Sequence, residues 1–200
     1  MSLKKSLHNK ATSEGFSKVG FCKPDSIPQA GNQLKQFLNN GFHGQMSWMK
    51  DKYKWRSSPT KLWPEVKSII MLADLYTPEN DPMALKNTPD MGMISVYAQN
   101  RDYHDVIKKR LKRIGRWLIK ERPKDNLKVF VDTAAIMEKP LAQAAGIGWQ
   151  GKHTNLLSND LGNWFFLSSI FTTIEFEPDK MEQDKCGSCR ACIDICPTNA

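Results

Sequence analysis

The sequence predicts an α+β domain followed by a short cysteine-rich segment, and three observations support this fold class. Apolar residues recur at helical spacing between residues 102 and 120, as expected for one long amphipathic helix. Short apolar runs, such as residues 66–72, alternate with helical stretches along the chain. Four of the five cysteines lie together near the carboxyl end. We therefore expect a core domain over residues 1–178 and the first half of a second, small domain over residues 179–200.

The first third of the chain is predicted to form two helices around one strand. Apolar residues at four-residue intervals predict a helix that begins near Leu3 and ends near Gly15. Residues 16–22 are predicted to form a strand. A second helix around Leu34 ends at Gly41, because glycine readily adopts the left-handed conformation of a C-terminal cap.

The middle of the chain is predicted to contain two strands and the clearest helix. Residues 66–72 form a buried strand, a proline-containing loop follows to Pro89, and residues 94–97 form a short strand. Asp102 is the N-cap of the long helix, and the Asp105 carboxylate also faces its unpaired amides. The apolar stripe of this helix consists of Ile107, Leu111, Ile114 and Leu118.

Four basic residues of the long helix lie almost opposite this stripe and form what we call the basic ridge: Lys109, Arg113, Arg116 and Lys120. The ridge is either a solvated surface or a set of phosphate contacts, and the residues alone leave both interpretations open. The net charge of +8, from 29 basic and 21 acidic residues, favours an anionic partner without identifying one.

The last third of the core is predicted to contain one strand, one helix and a β-hairpin. An apolar strand over residues 127–131 ends in Asp132, and residues 140–146 are helical. Residues 154–158 and 164–173 are the two β-rich runs of the hairpin, separated by an Asn-Asp-Leu-Gly-Asn turn. A carboxylate that follows a buried strand is a common position for chemistry, although a turn-forming role explains such a residue more simply.

The cysteines near the carboxyl end have the spacing C-x2-C-x2-C-x3-C-P, which is the iron–sulfur run of bacterial ferredoxins. In that run three thiolates bind one 4Fe-4S cluster and the fourth ligates a second cluster. We therefore assign Cys186, Cys189 and Cys192 to the first cluster and Cys196 to the second. Zinc is the alternative, but its cysteine pairs are usually separated by a dozen or more residues. Two-residue loops also have poor geometry for disulfide bonds.

The number of cysteines predicts that the two clusters are incomplete in these 200 residues. Each cluster takes four thiolates, and Cys22 is the only cysteine outside the run. We therefore expect the chain to be the amino-terminal part of a two-cluster protein and to hold no complete pair of clusters. Its cysteine-rich segment should be mobile or irregular, because the binding energy of a metal site is also folding energy.

Composition predicts a cytoplasmic protein that does not cross a membrane. Residues 1–10 contain lysines but no apolar stretch, so no secretory signal is expected. No apolar run reaches the ~18 residues that a membrane span needs. Free cysteines grouped in one run are typical of a reducing compartment rather than of a disulfide framework.

Several separate stretches together carry a family resemblance, and they follow one another along almost the whole chain. They are Tyr97-Ala98, the Asp-Tyr-His of residues 102–104, Val131-Asp132-Thr133 with Glu138, the Ala-Gly-Ile-Gly-Trp of residues 145–149 with Gly151-Lys152, and the cysteine run with Pro197-Thr198. In these stretches the sequence resembles the epoxyqueuosine reductase family, the cobalamin-dependent iron–sulfur enzymes that complete queuosine in transfer RNA. The second cysteine run and the carboxyl-terminal region of that family are absent here.

The resemblance implies a nitroreductase-like, cobalamin-binding core followed by a ferredoxin-like module with two 4Fe-4S clusters. It implies a reduction that removes the epoxide oxygen of epoxyqueuosine at the wobble position of tRNA, although a chain lacking the second cysteine run should be inactive alone. The implied partners are this tRNA and a low-potential electron donor of the flavodoxin or ferredoxin type, and the protein would be a monomer.

The resemblance also implies individual site residues. Asp132 matches the proposed proton donor of the family and would lie beside the cobalamin. The further cobalamin contacts carry over by position to Arg56, Ser95, Leu156 and Leu167, of which the two leucines would act through backbone groups or packing. Arg56 could equally be an ordinary surface arginine.

Three other functions remain as alternatives. A ferredoxin-type electron-transfer protein would need neither Asp132 nor cobalamin. A nucleic-acid-binding protein with a structural cluster would bind tRNA without redox turnover. Another cobalamin and iron–sulfur reductase, such as a reductive dehalogenase, shares the cofactors but usually carries an export signal that this sequence lacks.

Overall fold

The computed structural model describes residues 2–198, and its centre is a four-stranded antiparallel sheet with the strand order β1-β2-β6-β3. The strands of this sheet are β1 (Lys18–Cys22), β2 (Ser68–Leu75), β3 (Leu127–Phe130) and β6 (Phe165–Thr172). Two short strands, β4 (Trp149–Gln150) and β5 (Leu156–Leu157), form a separate antiparallel pair.

Helices lie on both faces of the central sheet. The longer helices are α1 (Leu3–Ser13), α2 (Ala30–Asn39), α6 (Tyr103–Glu121) and α7 (Glu138–Ala144). The short helices are α3 (Trp48–Asp51), α4 (Tyr53–Arg56), α5 (Pro59–Leu62), α8 (Ala191–Asp194) and a 3-10 turn, Val96–Ala98. In the described part of the chain, no helix is both long and apolar enough to span a bilayer.

Strand β2 separates two hydrophobic cores. Ile70 and Leu72 pack with α1 and α6, whereas Ile69 and Met71 point to the opposite face and pack with α7. All four side chains are fully buried. A strand that is covered on both faces has no polar alternation, which explains the continuous apolar run of residues 69–73.

Helix α7 is in direct backbone contact with the sheet at its carboxyl end. A Cβ atom on Gly20 of β1 would overlap the carbonyl oxygen of Ala145, the residue that caps α7. Gly20 therefore allows β1 and the end of α7 to approach more closely than any other residue would.

Most of the predicted elements are confirmed. α1 ends before Gly15, α2 ends before Gly41, and both glycines have a positive φ, +94° and +71°. The Asp102 side chain caps α6 by accepting a hydrogen bond from the His104 N–H, and the predicted apolar stripe is fully buried. Cys22 is buried as a small core residue, and burial raises the pKa of its thiol to about 12.

Two predicted elements are wrong. Residues 94–97 do not form a strand; the chain there makes the 3-10 turn, and the Ile94 side chain is 65% exposed. The predicted hairpin is also wrong, because β5 pairs with β4 while β6 joins the central sheet between β2 and β3. Only an isolated bridge between Ser158 and Gly162 closes the turn that separates the two runs.

Candidate functional site

Asp132 follows β3 directly and occupies a backbone conformation that is rare for a residue with a side chain. Its φ is +51°, in the left-handed region that aspartate tolerates better than most residues. The turn is tight, since the Thr133 N–H donates to the Val131 carbonyl over 2.6 Å. This turn directs the Asp132 side chain outward, and 60% of it is exposed.

Two residues of α6 face the Asp132 carboxylate. The Tyr103 hydroxyl donates a hydrogen bond of 2.7 Å to Asp132 Oδ2. The Nε2 atom of His104 lies 4.0 Å from the same oxygen. Because Tyr103 and His104 are the first two residues of α6, the cap at Asp102 also determines their position.

Glu138 holds the backbone of Asp132 from the other side. As the first residue of α7, it accepts a hydrogen bond of 3.2 Å from the Asp132 N–H at Oε1. Burial, with a further contribution from the Asp132 charge, raises the pKa of Glu138 to about 7. A carboxyl group with this pKa exchanges its proton near neutral pH, which is unusual for glutamate.

Arg56 is a neighbour of both carboxyl groups. Burial lowers the pKa of its guanidinium, while the charges of Glu138 and Asp132 act in the opposite direction. The guanidinium also lies over the Trp48 ring, 5.7 Å from the centroid. Arg56 therefore lies near enough to Asp132 for their charges to interact.

A series of stacked rings leads away from Asp132 along β6. The Tyr103 ring stacks on Phe166 with 3.9 Å between centroids and an angle of 7°. Phe166 in turn contacts Tyr76, at 4.4 Å, and Tyr76 lies parallel to Trp164. Burial and the hydrogen bond to Asp132 raise the pKa of Tyr103, so the hydroxyl remains a proton donor in this position.

Leu156 and Leu167 line a neighbouring cleft of about 230 Å³. Lys139 enters the same cleft, where its Nζ donates to Asn155 Oδ1 over 3.1 Å and burial lowers its pKa. Ser95 is different. It is exposed before the 3-10 turn, and no hydrogen bond, ion pair or ring contact among residues 2–198 joins it to Asp132.

The local sequence pattern predicts no role for Tyr103, His104 or Glu138, although all three lie in the stretches that carry the family resemblance. The sequence signal that could have identified Tyr103 and His104 is their position directly after the Asp102 N-cap, where two residues with rings follow a carboxylate. Nothing in the local pattern placed Glu138 beside Asp132, because its importance arises from the turn that separates β3 from α7.

The cysteine segment, which we define as residues 180–198, contacts the core through the turn that contains β4. The Trp149 indole N–H donates to Cys186 Sγ over 3.4 Å. Lys152 Nζ donates to the carbonyls of Gly187 and Cys189 over 2.7 and 2.9 Å. The segment begins without regular structure and contains only the single turn of α8, and its four cysteines form no disulfide bond among the described residues.

The donor set of the cysteine segment fits an iron–sulfur cluster. Its four cysteines form no disulfide bond within residues 2–198 and are at least partly accessible, and Gly187 has a φ of +50°, which permits the tight turn between the first two. In the described part of the chain, no three His, Cys, Asp or Glu side chains are already grouped to hold a metal ion. The fit therefore rests on the chemistry and spacing of the thiols.

The basic ridge on α6 is exposed along its whole length. One member, Arg113, forms an ion pair of 2.6 Å with Glu14 of the loop after α1. Lys109 and Arg113 border a groove of about 410 Å³, together with Arg101 and Arg110. The groove also contains two carboxylates, Asp102 and Asp105.

Comparisons with known proteins agree with this arrangement. The family profile "Epoxyqueuosine reductase QueG, DUF1730" matches residues 56–133, a range from Arg56 to the residue after Asp132. The profile "4Fe-4S binding domain" matches residues 180–200. The epoxyqueuosine reductase of Vibrio cholerae serotype O1 is 39% identical over 187 residues, which are 93% of this chain and 50% of that protein. Over the region that these comparisons cover, the chain is similar to epoxyqueuosine reductases.

Solved structures of this family share the fold. An epoxyqueuosine reductase in complex with an epoxyqueuosine-modified tRNA-Tyr stem loop has a TM-score of 0.84 at 29% identity, covering 99% of this chain and 52% of that one. The Bacillus subtilis enzyme, solved with its catalytic aspartate loop swung out of the active site, gives the same values. The chain thus spans about half the length of the relatives it matches.

The fold also occurs outside this family. A reductive dehalogenase described in connection with B12-dependent dehalogenation has a TM-score of 0.59 at 13% identity, and it covers 96% of this chain. At this identity the likeness concerns the fold alone. The mixed α/β architecture of the core is therefore shared by two groups of reductases.

Proposed function

We propose that this chain carries the core of an oxidoreductase that reduces epoxyqueuosine to queuosine at the wobble position of tRNA. The observation that carries the proposal is Asp132, which is held at a positive φ between Tyr103 and Glu138 inside the region matched by the family profile. A proton donor must carry its proton as a carboxyl group and must have a defined orientation toward the substrate, and the contacts of Asp132 supply this orientation.

We assign residues 1–178 to a nitroreductase-like core that binds cobalamin, and residues 179–200 to the first half of a ferredoxin-like module. The contacts of Asp179 support a boundary near this residue, since its carboxylate accepts from the Phe21 N–H over 2.9 Å and pairs with Lys4. Beyond it, the chain leaves the sheet and enters the cysteine segment.

The surface around Asp132 is compatible with cobalamin. Large apolar side chains are exposed in the segments before and after β2, where a folded chain without a ligand would not be expected to leave them. They include Phe42, Met46, Trp48, Trp55, Met91, Met93 and Ile94. In addition, His43 Nδ1 is buried without a hydrogen-bond partner among the described residues. A large, mostly apolar macrocycle with polar amide groups would cover such a surface.

Within the site, Arg56, Leu156 and Leu167 would hold the macrocycle. Arg56 would supply a fixed positive charge, and the two leucines would supply apolar contact in the cleft beside Lys139. Ser95 would join them only if the segment before the 3-10 turn folds over the ligand. Bound cobalamin would supply the low-potential reduction of the substrate carbon.

The reaction itself requires two electrons and two protons, because both C–O bonds of the epoxide break, a C=C bond forms and the oxygen leaves as water. We assign the proton delivered to the epoxide oxygen to Asp132. Tyr103 orients the carboxylate through Oδ2, which leaves the other oxygen of Asp132 available to the substrate. The B. subtilis relative, with its catalytic aspartate loop swung out, supports a loop that moves during the catalytic cycle.

Electrons would enter through the cysteine segment. Cys186, Cys189 and Cys192 would ligate the first 4Fe-4S cluster, and Cys196 would ligate the second cluster. The electron donor would be a low-potential flavodoxin or ferredoxin. We further propose that the protein is a monomer. We also propose that it is cytoplasmic, because accessible cysteines without disulfide bonds persist in a reducing compartment.

The substrate would be tRNA that carries epoxyqueuosine, as in the complex of the related enzyme with a modified stem loop. The basic ridge supports a role in holding this RNA, since Lys109, Arg116 and Lys120 are exposed on one face of α6. Each phosphate contact made by the ridge would contribute about 0.7–0.9 to the slope of log affinity against log salt.

The test uses a chimera in which these residues replace the matching half of the V. cholerae relative. After anaerobic loading with cobalamin, iron and sulfide, nucleoside mass spectrometry would measure the conversion of epoxyqueuosine to queuosine in tRNA. We expect conversion by the chimera and none by the Asp132→Asn variant, which is isosteric. If both proteins bind tRNA and show iron–sulfur absorbance but no corrin absorbance, the chain is an electron-transfer module instead.

A further inference from the structure

We propose that His104, oriented by Asp102, passes protons from solvent to Asp132 and thereby supplies the second proton of the reaction. This inference rests on the proposed function and extends it from one proton donor to a short relay. His104 is a positioning residue in this scheme, because it acts through Asp132 and does not touch the substrate.

The need for a relay follows from the stoichiometry. Water leaves with two protons, but the Asp132 carboxyl group holds only one at a time. It must therefore be protonated again within each turnover, or a second donor must reach the same oxygen. Direct protonation by solvent is hindered once a nucleotide and a large cofactor cover the exposed side of the Asp132 carboxyl group.

The geometry of His104 suits this task. Its Nδ1 lies 2.7 Å from Asp102 Oδ1, and its Nε2 lies 4.0 Å from Asp132 Oδ2. The residue is held by two further contacts. Asp102 also accepts from the His104 backbone N–H over 2.9 Å, and the Tyr103 ring stacks on the imidazole at 4.0 Å. The side chain is 35% exposed, so a solvent proton can reach it.

Asp102 determines which nitrogen carries the proton of the neutral ring. A carboxylate that faces Nδ1 can only accept, so Nδ1 keeps its hydrogen and Nε2 is left to gain and lose a proton. A proton taken up from solvent at Nε2 passes to Asp132 through one bridging water, because 4.0 Å is too long for a direct hydrogen bond. The ring then returns to the same neutral tautomer. No electron transfer is involved, and the charge removed from His104 neutralises the Asp132 carboxylate.

The other groups around Asp132 are less suited to this role. The Tyr103 hydroxyl already donates to Asp132 Oδ2, and burial raises its pKa. Glu138 faces His104 and Asp132 from α7, but its nearer oxygen accepts from the Asp132 backbone and not from the carboxyl group. Arg56 retains its protons near neutral pH.

The first test measures the tautomer of His104 in this chain by long-range ¹H–¹⁵N correlation at a pH where the imidazoles are neutral. His153 is the internal control, because its Nδ1 accepts from the Asn155 N–H over 3.1 Å and its hydrogen must be on Nε2. We expect the Nδ1–H tautomer for His104 and the Nε2–H tautomer for His153. Asp102→Asn should convert His104 to a mixture or to Nε2–H and leave His153 unchanged. An Nε2–H tautomer of His104 in the parent chain would overturn the relay.

The second test uses the loaded chimera. His104→Ala should reduce queuosine formation by about tenfold or more, below the ~10²–10⁴-fold typical of a direct donor, and added imidazole should restore part of the rate. Asp132→Asn should not respond to imidazole. A parent chimera that makes no queuosine would contradict the proposed function while the tautomer result still decides the orientation of His104. Full activity of His104→Ala in an active chimera would contradict the relay alone.

Discussion

The Asp132 site and the cysteine segment lie at opposite ends of α7, and they are held in place by different means. Asp132 is fixed by side chains from α6 and α7, which themselves rest on buried cores. The cysteine segment is irregular, and it contacts the core through the Trp149 indole, which donates to Cys186 Sγ, and through the Lys152 ammonium, which donates to two backbone carbonyls. Packing determines the first geometry before any ligand binds, whereas the second depends on the cluster.

The largest effect expected from this comparison concerns Asp132. Asp132→Asn preserves both the shape and the tolerance for a positive φ, so it should retain cobalamin and lose ~10²–10⁴-fold in epoxide reduction by the loaded chimera. Single-turnover measurement of queuosine would report this loss, and the corrin spectrum would report binding. Turnover within twofold of the parent would remove Asp132 from the proton-donor role.

The second prediction compares the stability contributed by the two regions. Leu111 is fully buried in the α6 core, so Leu111→Ala should lower the free energy of unfolding by about 2–5 kcal/mol. Cys192→Ser, in the cysteine segment, should change it by less than about 0.5 kcal/mol in the cluster-free chain. Urea unfolding of both variants would measure the difference. Equal losses would show that the core and the cysteine segment unfold as one unit.

The third prediction uses pH to isolate Glu138. Its pKa is about 7 in the folded chain and about 4.3 in an unfolded one, so the folded state binds the proton more tightly. The proton contributes its full stabilisation below about pH 4. As the pH rises to about 7 this contribution is lost, and the free energy of unfolding falls by roughly 1–3 kcal/mol. Glu138→Gln should remove this pH-dependent fall in the free energy of unfolding. Its amide oxygen can still accept the hydrogen bond from the Asp132 N–H.

Urea unfolding at several pH values would provide the curve for each protein, and the informative quantity is the difference between variant and parent. The exposed Glu121→Gln is the matched control, and its curve should parallel that of the parent. A Glu138→Gln curve that also runs parallel to the parent between pH 4 and 7 would show that Glu138 is ordinary in the folded chain.

The smallest expected effect concerns the contact that docks the cysteine segment. Trp149→Phe keeps an apolar ring but removes the N–H that contacts Cys186, a bond worth about 1 kcal/mol. Alkylation of Cys186 should become about fivefold faster, whereas Cys189 in the same protein should react at its original rate. Peptide mass spectrometry would measure both. Equal acceleration of the two thiols would indicate a general loosening of the segment rather than the loss of one bond.

The features that were predictable from the sequence depend on local spacing. The α6 stripe, its Asp102 cap and the cysteine run all have partners within a few residues, so periodicity and spacing identified them. The strand expected at 94–97 failed because an apolar run can be a strand only with a neighbour, and Ile94 is exposed instead. The hairpin failed because the two neighbours of β6 come from distant parts of the chain.

The candidate site was predictable only in part for the same reason. Asp132 could be identified from the end of an apolar strand and from the family resemblance. Its partners could not, since Tyr103 lies 29 residues away and reaches Asp132 only when α6 packs on the sheet. The buried carboxyl of Glu138 likewise becomes unusual only in the folded chain, where desolvation opposes its ionisation.

Helix α7 has a consequence for the distance between the two regions. Its first residue, Glu138, bonds to Asp132, and Gln143 near its end exchanges hydrogen bonds with Glu182 at the start of the cysteine segment. Seven helical residues span about 10 Å, and the contact of Gly20 with Ala145 prevents the helix from sliding along β1. The helix therefore fixes both the distance and the relative rotation between the Asp132 site and the cysteine segment. One residue inserted in it would rotate its two ends by about 100° relative to each other. The Asp132 site and the cysteine segment could then no longer both keep their contacts with the helix.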